Sequence, residues 1–180
     1  MSKPLFFDLE TQKSFDEVGG RQNMRQLRVS VAVTYDAASG QFQEYQEADA
    51  LKLIEQLKRA ELVVGYNILG FDYEVLRAYT LERLETIPTV DMLRDIYQQL
   101  GFRVSLDSVA GATLGAKKSG DGLDAIRWFR QGEITRLLSY CRQDVQITRQ
   151  VYEYGQQNGH VLFMDRNGQK RRVRVNWRPD

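Results

Sequence analysis

Leu5-Phe6-Phe7-Asp8-Leu9-Glu10-Thr11 decides how this chain is read. An apolar run closing on two carboxylates is the pattern of a buried strand that carries acids to its end. Asp8 and Glu10 are two residues apart, so on a strand they share a face. Carboxylates so placed repel each other unless a cation lies between them. Alone, the pair also fits an exposed strand end, because the chain holds 24 acidic residues.

Two further motifs follow in order. Asn67-Ile68-Leu69-Gly70-Phe71-Asp72 comes directly after the short apolar strand Leu62-Val63-Val64-Gly65-Tyr66, and a helix from Asp72 to Tyr79 is expected to open there. A carboxylate at a helix start also fits an N-cap. On the functional reading, Asn67 offers a side-chain amide to a substrate backbone and Phe71 an apolar surface to a base. Tyr140-Cys141-Arg142-Gln143-Asp144 lies on the longest expected helix, Glu133 to about Gln156. Tyr140 and Asp144 are one turn apart and share a face bordering the apolar stripe of Leu137, Cys141, Val145 and Val151. A carboxylate there needs a partner. Arg142 and Arg149 are the nearest candidates in sequence. Four acids in motifs that hold no His or Lys suit a hard divalent cation, and such cations most often serve phosphate chemistry.

The remaining chain supplies the frame. Its 180 residues suffice for one domain with a sizeable core. An apolar fraction of 42% and a charged fraction of 27% are those of an ordinary globular protein. One cysteine, Cys141, allows no intrachain disulfide and fits a reducing cytoplasm. The apolar run after Met1-Ser2-Lys3-Pro4 is too short for a signal peptide or a membrane span, so no membrane association is expected. The formal net charge of +1 does not call for nucleic acid, but residues 166–178 hold six basic residues and no acid.

Leu27, Val29, Val31, Val33 and Tyr35 alternate with Arg28, Ser30, Ala32 and Thr34, the period of a half-buried strand, and Gln41 to Gln46 is its hairpin partner across a turn at 36–40. Helices are expected over 49–60, 92–100, 105–114 and 122–130, a strand over 87–90, and a second hairpin about Asn167-Gly168. A meander followed by strand–helix alternation indicates an α/β domain with a mixed sheet.

In this order and setting, the motifs resemble those of DnaQ-like 3′–5′ exonucleases of the ribonuclease H-like superfamily, in the branch with four acids and a tyrosine (the DEDDy type). The chain is similar to family B polymerase exonuclease domains and YprB-like proteins over residues 5 to about 150. A sister branch places a His shortly before the last Asp; the one His here, His160, follows Asp144. The resemblance implies a ribonuclease H-like mixed sheet flanked by helices over 1–160, with a basic β-hairpin over 161–180 appended to the same domain. It also implies two Mg²⁺ or Mn²⁺ ions. Asp8 would bridge them, Glu10 and Asp144 would complete one shell, and Asp72 would support the other. Tyr140 would orient the attacking water. Leu9 and Phe71 would pack on the terminal base, with Thr11 near its sugar. Lys117 and Lys118, in a glycine-flanked loop, would meet phosphates if that loop is more than a solvated turn. Arg172 and Arg174 would do the same on the hairpin, whose basic face also fits an edge strand guarded against aggregation. The expected substrate is the 3′ end of single-stranded nucleic acid, DNA before RNA, in DNA repair, with a separate helicase or polymerase as the kind of partner implied. An exoribonuclease with the same site, and a catalytically idle binding or scaffold module, are the alternatives.

Overall fold

The computed structural model describes residues 3–116 and 120–177. Five strands form one mixed sheet: β1 (Leu5–Thr11), β2 (Val29–Asp36), β3 (Gln41–Gln46), β4 (Val63–Gly65) and β5 (Thr89–Asp91), in the order β3-β2-β1-β4-β5. The pairs β1–β2 and β2–β3 are antiparallel, whereas β1–β4 and β4–β5 are parallel. Parallel strands need crossovers, and α1 (Ala50–Arg59) and α2 (Asp72–Leu76) supply them. The later helices are α3 (Met92–Leu100), α4 (Leu106–Leu114), α5 (Gly122–Arg130) and α6 (Ile134–Asn158).

Helices cover both faces of the sheet. On one face Phe6, Val31, Val33 and Val64 pack with Leu137, Cys141, Val145 and Tyr152 of α6 and with Met92, Val109 and Trp128. On the other, Leu5, Phe7, Leu9 and Val63 pack with Leu53, Ile54 and Leu57 of α1 and with Val75 and Leu76 of α2. The side chains of β1 thus alternate between two cores. Asp8 and Glu10 fall on the Phe6 face, the one that α6 covers.

This double cover corrects the half-buried reading of β2. Ser30, Ala32 and Thr34 are as buried as Val29, Val31 and Val33, because α6 lies over one face and α1 over the other. A bulge after Glu10 pairs Thr11 with Val29 and puts Val29 in the core opposite to Val31. The helix expected over 72–79 is also shorter. It ends at Leu76, and the next turn tightens to Ala78 N–H to Val75 and Tyr79 N–H to Leu76. The Tyr79 hydroxyl accepts from Val29 N–H at 2.9 Å and donates to Glu47 at 2.8 Å, which anchors this turn beside the sheet.

The chain ends in a second, two-stranded sheet, β6 (His160–Met164) against β7 (Lys170–Arg174). Its inward side chains Val161, Phe163 and Val173 belong to the α6 core, so the hairpin is part of the packed body. Trp177 stacks on Tyr152, with ring centroids 6.0 Å apart, and its carbonyl accepts the Tyr152 hydroxyl at 2.9 Å. Gly155 makes that fit: a Cβ there would come within 2.4 Å of the indole. No described helix is long and apolar enough to cross a membrane.

Candidate active site

The acids converge where β1 outruns β4. Only Leu5 and Phe6 of β1 pair with β4, opposite Val63 and Val64. Leu5 N–H bonds the Leu62 carbonyl, and by strand alternation Leu9 N–H points the same way, past the end of β4. It donates instead to Asp72 Oδ1 at 3.2 Å. Asp72, the first residue of α2, therefore occupies the place of a missing strand neighbour. Phe71 holds the N-cap position, so the N-cap alternative for Asp72 falls away.

Asp144 arrives from the opposite direction. It is buried on α6, which lies over the Asp8 face, and carboxylate oxygens of Asp8, Glu10 and Asp144 all lie within 4.8 Å of one another. The two arginines considered as partners of Asp144 are committed elsewhere. Arg142 pairs with Glu44 and lies over the Phe42 ring; Arg149 pairs with Glu153 and lies over Tyr35. Cys141 sits between the acids, its thiol 3.4 Å from the Asp8 carbonyl and 3.6 Å from Asp8 Oδ2. Burial, then the charges of Asp8, Glu10 and Asp144, hold this thiol well above its usual range, so it stays a neutral donor.

Burial also pushes the Asp72 carboxyl well above its usual value, the Asp8 charge adds to this, and the Leu9 N–H opposes it. The sign of the linkage follows. The folded state holds the Asp72 proton where the unfolded chain has released it. The resulting penalty is absent below the unfolded value of 3.8, grows as pH rises toward the folded value, and is complete above it.

One turn before Asp144, the Tyr140 ring packs edge-on against Trp128 at 5.5 Å, and its hydroxyl donates to the Gly120 carbonyl at 3.4 Å. Beside Glu10 opens a cleft of about 390 Å³, walled by Thr11, Phe15, Phe71, Leu123 and Ile126. Phe71 meets Phe15 edge-on at 5.8 Å, and the Arg21 guanidinium lies 4.8 Å from the Phe15 centroid. An ion pair between Glu17 and Arg130 ties the loop after β1 to α5.

The other expected contacts are placed as follows. The Leu9 side chain is only 3% exposed and lies in the α1 core, so its backbone rather than its side chain borders the site. Thr11 lines the cleft and donates its hydroxyl to the Lys13 carbonyl at 2.9 Å. The Asn67 amide oxygen accepts from Arg103 at 2.8 Å. Arg172 and Arg174 are exposed on β7, and α6 rises roughly 16 Å between Asp144 and Gly155, beside which the hairpin packs. Lys117 and Lys118 lie outside the described residues.

Sequence reasoning passed over Asp91. It is 4% exposed, and its two oxygens accept four backbone N–H groups: Asn67 at 2.8 Å, Leu69 at 3.0 Å, Leu93 at 3.1 Å and Arg94 at 3.3 Å. One carboxylate thus caps α3 and bolts down the loop that delivers Phe71 and Asp72. A strand end followed by Asp and a helical run signalled the cap. Nothing local signalled the bonds to 67 and 69.

A family model of the RNase H superfamily matches residues 5–156. The chain belongs to the RNase H superfamily. Among solved structures it is similar to the family B DNA polymerase from the hyperthermophilic archaeon Pyrobaculum calidifontis, with a TM-score of 0.65 and 19% identity over 86% of this chain. It spans 24% of the length of that polymerase chain, and the likeness is one of fold. No curated protein matches at the sequence level.

For a superfamily member, this donor set fits a hard divalent cation. It is all carboxylate oxygen, three of the groups bring oxygens within 4.8 Å of one another, and a fourth is buried beside Asp8 at an electrostatic cost. Ions that bind only the folded state stabilise it by mass action, and they need the carboxylates deprotonated. Millimolar Mg²⁺ or Mn²⁺ is therefore expected to raise Tm, more at pH 8 than at pH 5.5, and less in Asp8→Asn than in wild type. A thermal scan without any metal-dependent shift would argue against an assembled site.

Proposed function

We propose that this protein is a metal-dependent 3′–5′ exonuclease that hydrolyses phosphodiester bonds at the 3′ end of single-stranded DNA and releases nucleoside monophosphates. The observation that carries the reading is the meeting of Asp8, Glu10 and Asp144, with buried Asp72 beside Asp8, at the mouth of an apolar cleft. The superfamily is one of nucleases, which supports the reaction class. The order of the motifs supports the 3′–5′ direction.

Asp8, Glu10, Asp72 and Asp144 would hold two Mg²⁺ or Mn²⁺ ions, which when bound supply Lewis-acid stabilisation and a water acidic enough to attack at neutral pH. The chain's own groups do the rest. The cleft wall of Phe71 and Phe15 takes a flat base out of water beside Glu10. Thr11 lies where a terminal sugar would follow. Asn67 presents its amide at the end of β4 toward a passing backbone. Cys141, neutral and buried, keeps Asp8 in place with a weak donor bond. Tyr140 is held at its ring by Trp128, which fixes its hydroxyl where it can orient a water.

The test is shortening of a 5′-labelled single strand by purified protein. A ladder is expected with Mg²⁺ or Mn²⁺ and none with EDTA, with RNA as a parallel arm. In the same assay Tyr140→Phe should slow cleavage while strand affinity stays near wild type, since ring and packing remain. A wild-type rate for Tyr140→Phe would remove the water-orienting role, and undiminished cleavage in EDTA would remove the metal mechanism.

A further inference from the structure

We infer that the strand upstream of the scissile end runs along a second groove, formed where the loop after α3 meets the turn of the C-terminal hairpin. The inference rests on the nuclease reading and names the path of its substrate. The groove has a volume of about 730 Å³ and is lined by Phe102, Arg103, Ser105, Met164, Asp165 and Arg166. One wall of it is tied to the second acidic motif. Arg103 bonds Asn67 at 2.8 Å, and the Tyr66 hydroxyl donates to the Val104 carbonyl at 2.6 Å, which fixes this loop beside the second acidic motif.

Its chemistry matches a single strand. Phe102 is 47% exposed and Met164 40%, large apolar side chains left in solvent inside a groove. Phe102 is braced edge-on by buried Phe163 at 5.9 Å, so its outer face is a fixed platform. Among the described residues Arg103 and Arg166 pair with no acid. Asp165, the acid among the lining residues, is already held by Arg171 at 2.8 Å and by the amides of Asn167 and Gln169. The charge left over is positive.

The register extends the track. Met164 lies opposite Lys170, Leu162 opposite Arg172 and His160 opposite Arg174, so these residues share the outer face of the hairpin while Val161, Phe163 and Val173 face the core. The groove therefore opens onto the face that carries Lys170, Arg172 and Arg174. Exposed aromatic surface interleaved with unpaired cations is the composition that binds single strands without sequence preference. The walls are joined: Ser108 Oγ accepts from Met164 N–H at 3.1 Å, and Ser105 caps α4, which ties hairpin to loop.

The experiment measures binding of labelled single strands in EDTA, by anisotropy, beside hydrolysis with Mn²⁺. A trinucleotide reaches only the acidic site, whereas a strand of about fifteen nucleotides also fills the groove. Wild type should bind the long strand at least tenfold more tightly than the trinucleotide. Phe102→Ala should lose about tenfold in affinity for the long strand, one base–aromatic stack. Arg166→Ala should flatten the log–log salt slope by about 0.7, the loss of one phosphate contact. Each should narrow the gap between long and short strands. If wild type hydrolyses both with no length preference, or if both variants keep the wild-type gap and slope, the groove is not the track while the site reading stands. If wild type neither binds nor hydrolyses any strand, the nuclease reading itself fails and the groove assignment with it. Circular dichroism of each variant separates lost folding from lost contacts, and Arg166→Lys should restore the slope.

Discussion

Asp8→Ala and Asp144→Ala are each expected to lower turnover by several orders of magnitude, because on the proposed mechanism the ions would be held jointly and no remaining carboxylate could take over both places. Asp8 is linked to each of the other three acids. Its oxygens lie with those of Glu10 and Asp144, its charge raises the Asp72 carboxyl, and the Cys141 thiol leans on it. The same geometry separates chemistry from folding. In the metal-free protein the Asp8 charge works against burial of Asp72, so Asp8→Ala should melt no lower than wild type, or slightly higher. Single-turnover cleavage together with a metal-free thermal scan checks both halves. A variant that keeps a tenth or more of wild-type activity would show that the site does not depend on the bridge between the strand and helix acids.

Asp91→Ala should have the largest effect on stability of any single carboxylate. Four backbone N–H groups lose their acceptor at once. Leaving several buried donors unpaired costs at least about 3 kcal/mol, even with some relief from water. Asp91→Asn keeps the volume but turns an N–H₂ toward donors, so it should fold less stably and hold the 67–72 loop loosely. Urea denaturation gives the stability change. A loss in hydrolysis by the Asn variant, under conditions where it is fully folded, checks that the bolt positions Phe71 and Asp72. Wild-type stability in Asp91→Ala would contradict the role assigned to these bonds.

How much of this was legible in the sequence depends on distance along the chain. The strand Leu5–Thr11 could be read because its apolar run and its acids are contiguous, and the i, i+4 pair Tyr140 and Asp144 because a helix turn brings them together. The mixed sheet followed from the spacing of strands and helices. What stayed hidden is tertiary. Alternation in β2 suggested one wet face, but small side chains such as Ser30 and Ala32 pack as well under a helix as on a surface. Asp72 looked like a cap until the end of β4 left Leu9 N–H for it to accept. Asp91 went unread: its place before a helical run fits a cap, but nothing local signals the two bonds that cross to the neighbouring loop. Phe102 and Met164 lie far apart in sequence, and only the fold turns two scattered apolar residues into one groove. Trp177 closes the body because Gly155, a poor helix residue, leaves room for it.

The most direct measurement of the central claim is product analysis by mass spectrometry on one linear and one circular single strand, with Mn²⁺. The account predicts nucleoside monophosphates and a series of fragments that keep the 5′ end and shorten from the 3′ end, with the circle untouched and both reactions silent in Asp8→Ala. Cleavage of the circle, fragments that keep the 3′ end, or no product from the linear strand at any metal concentration would contradict it.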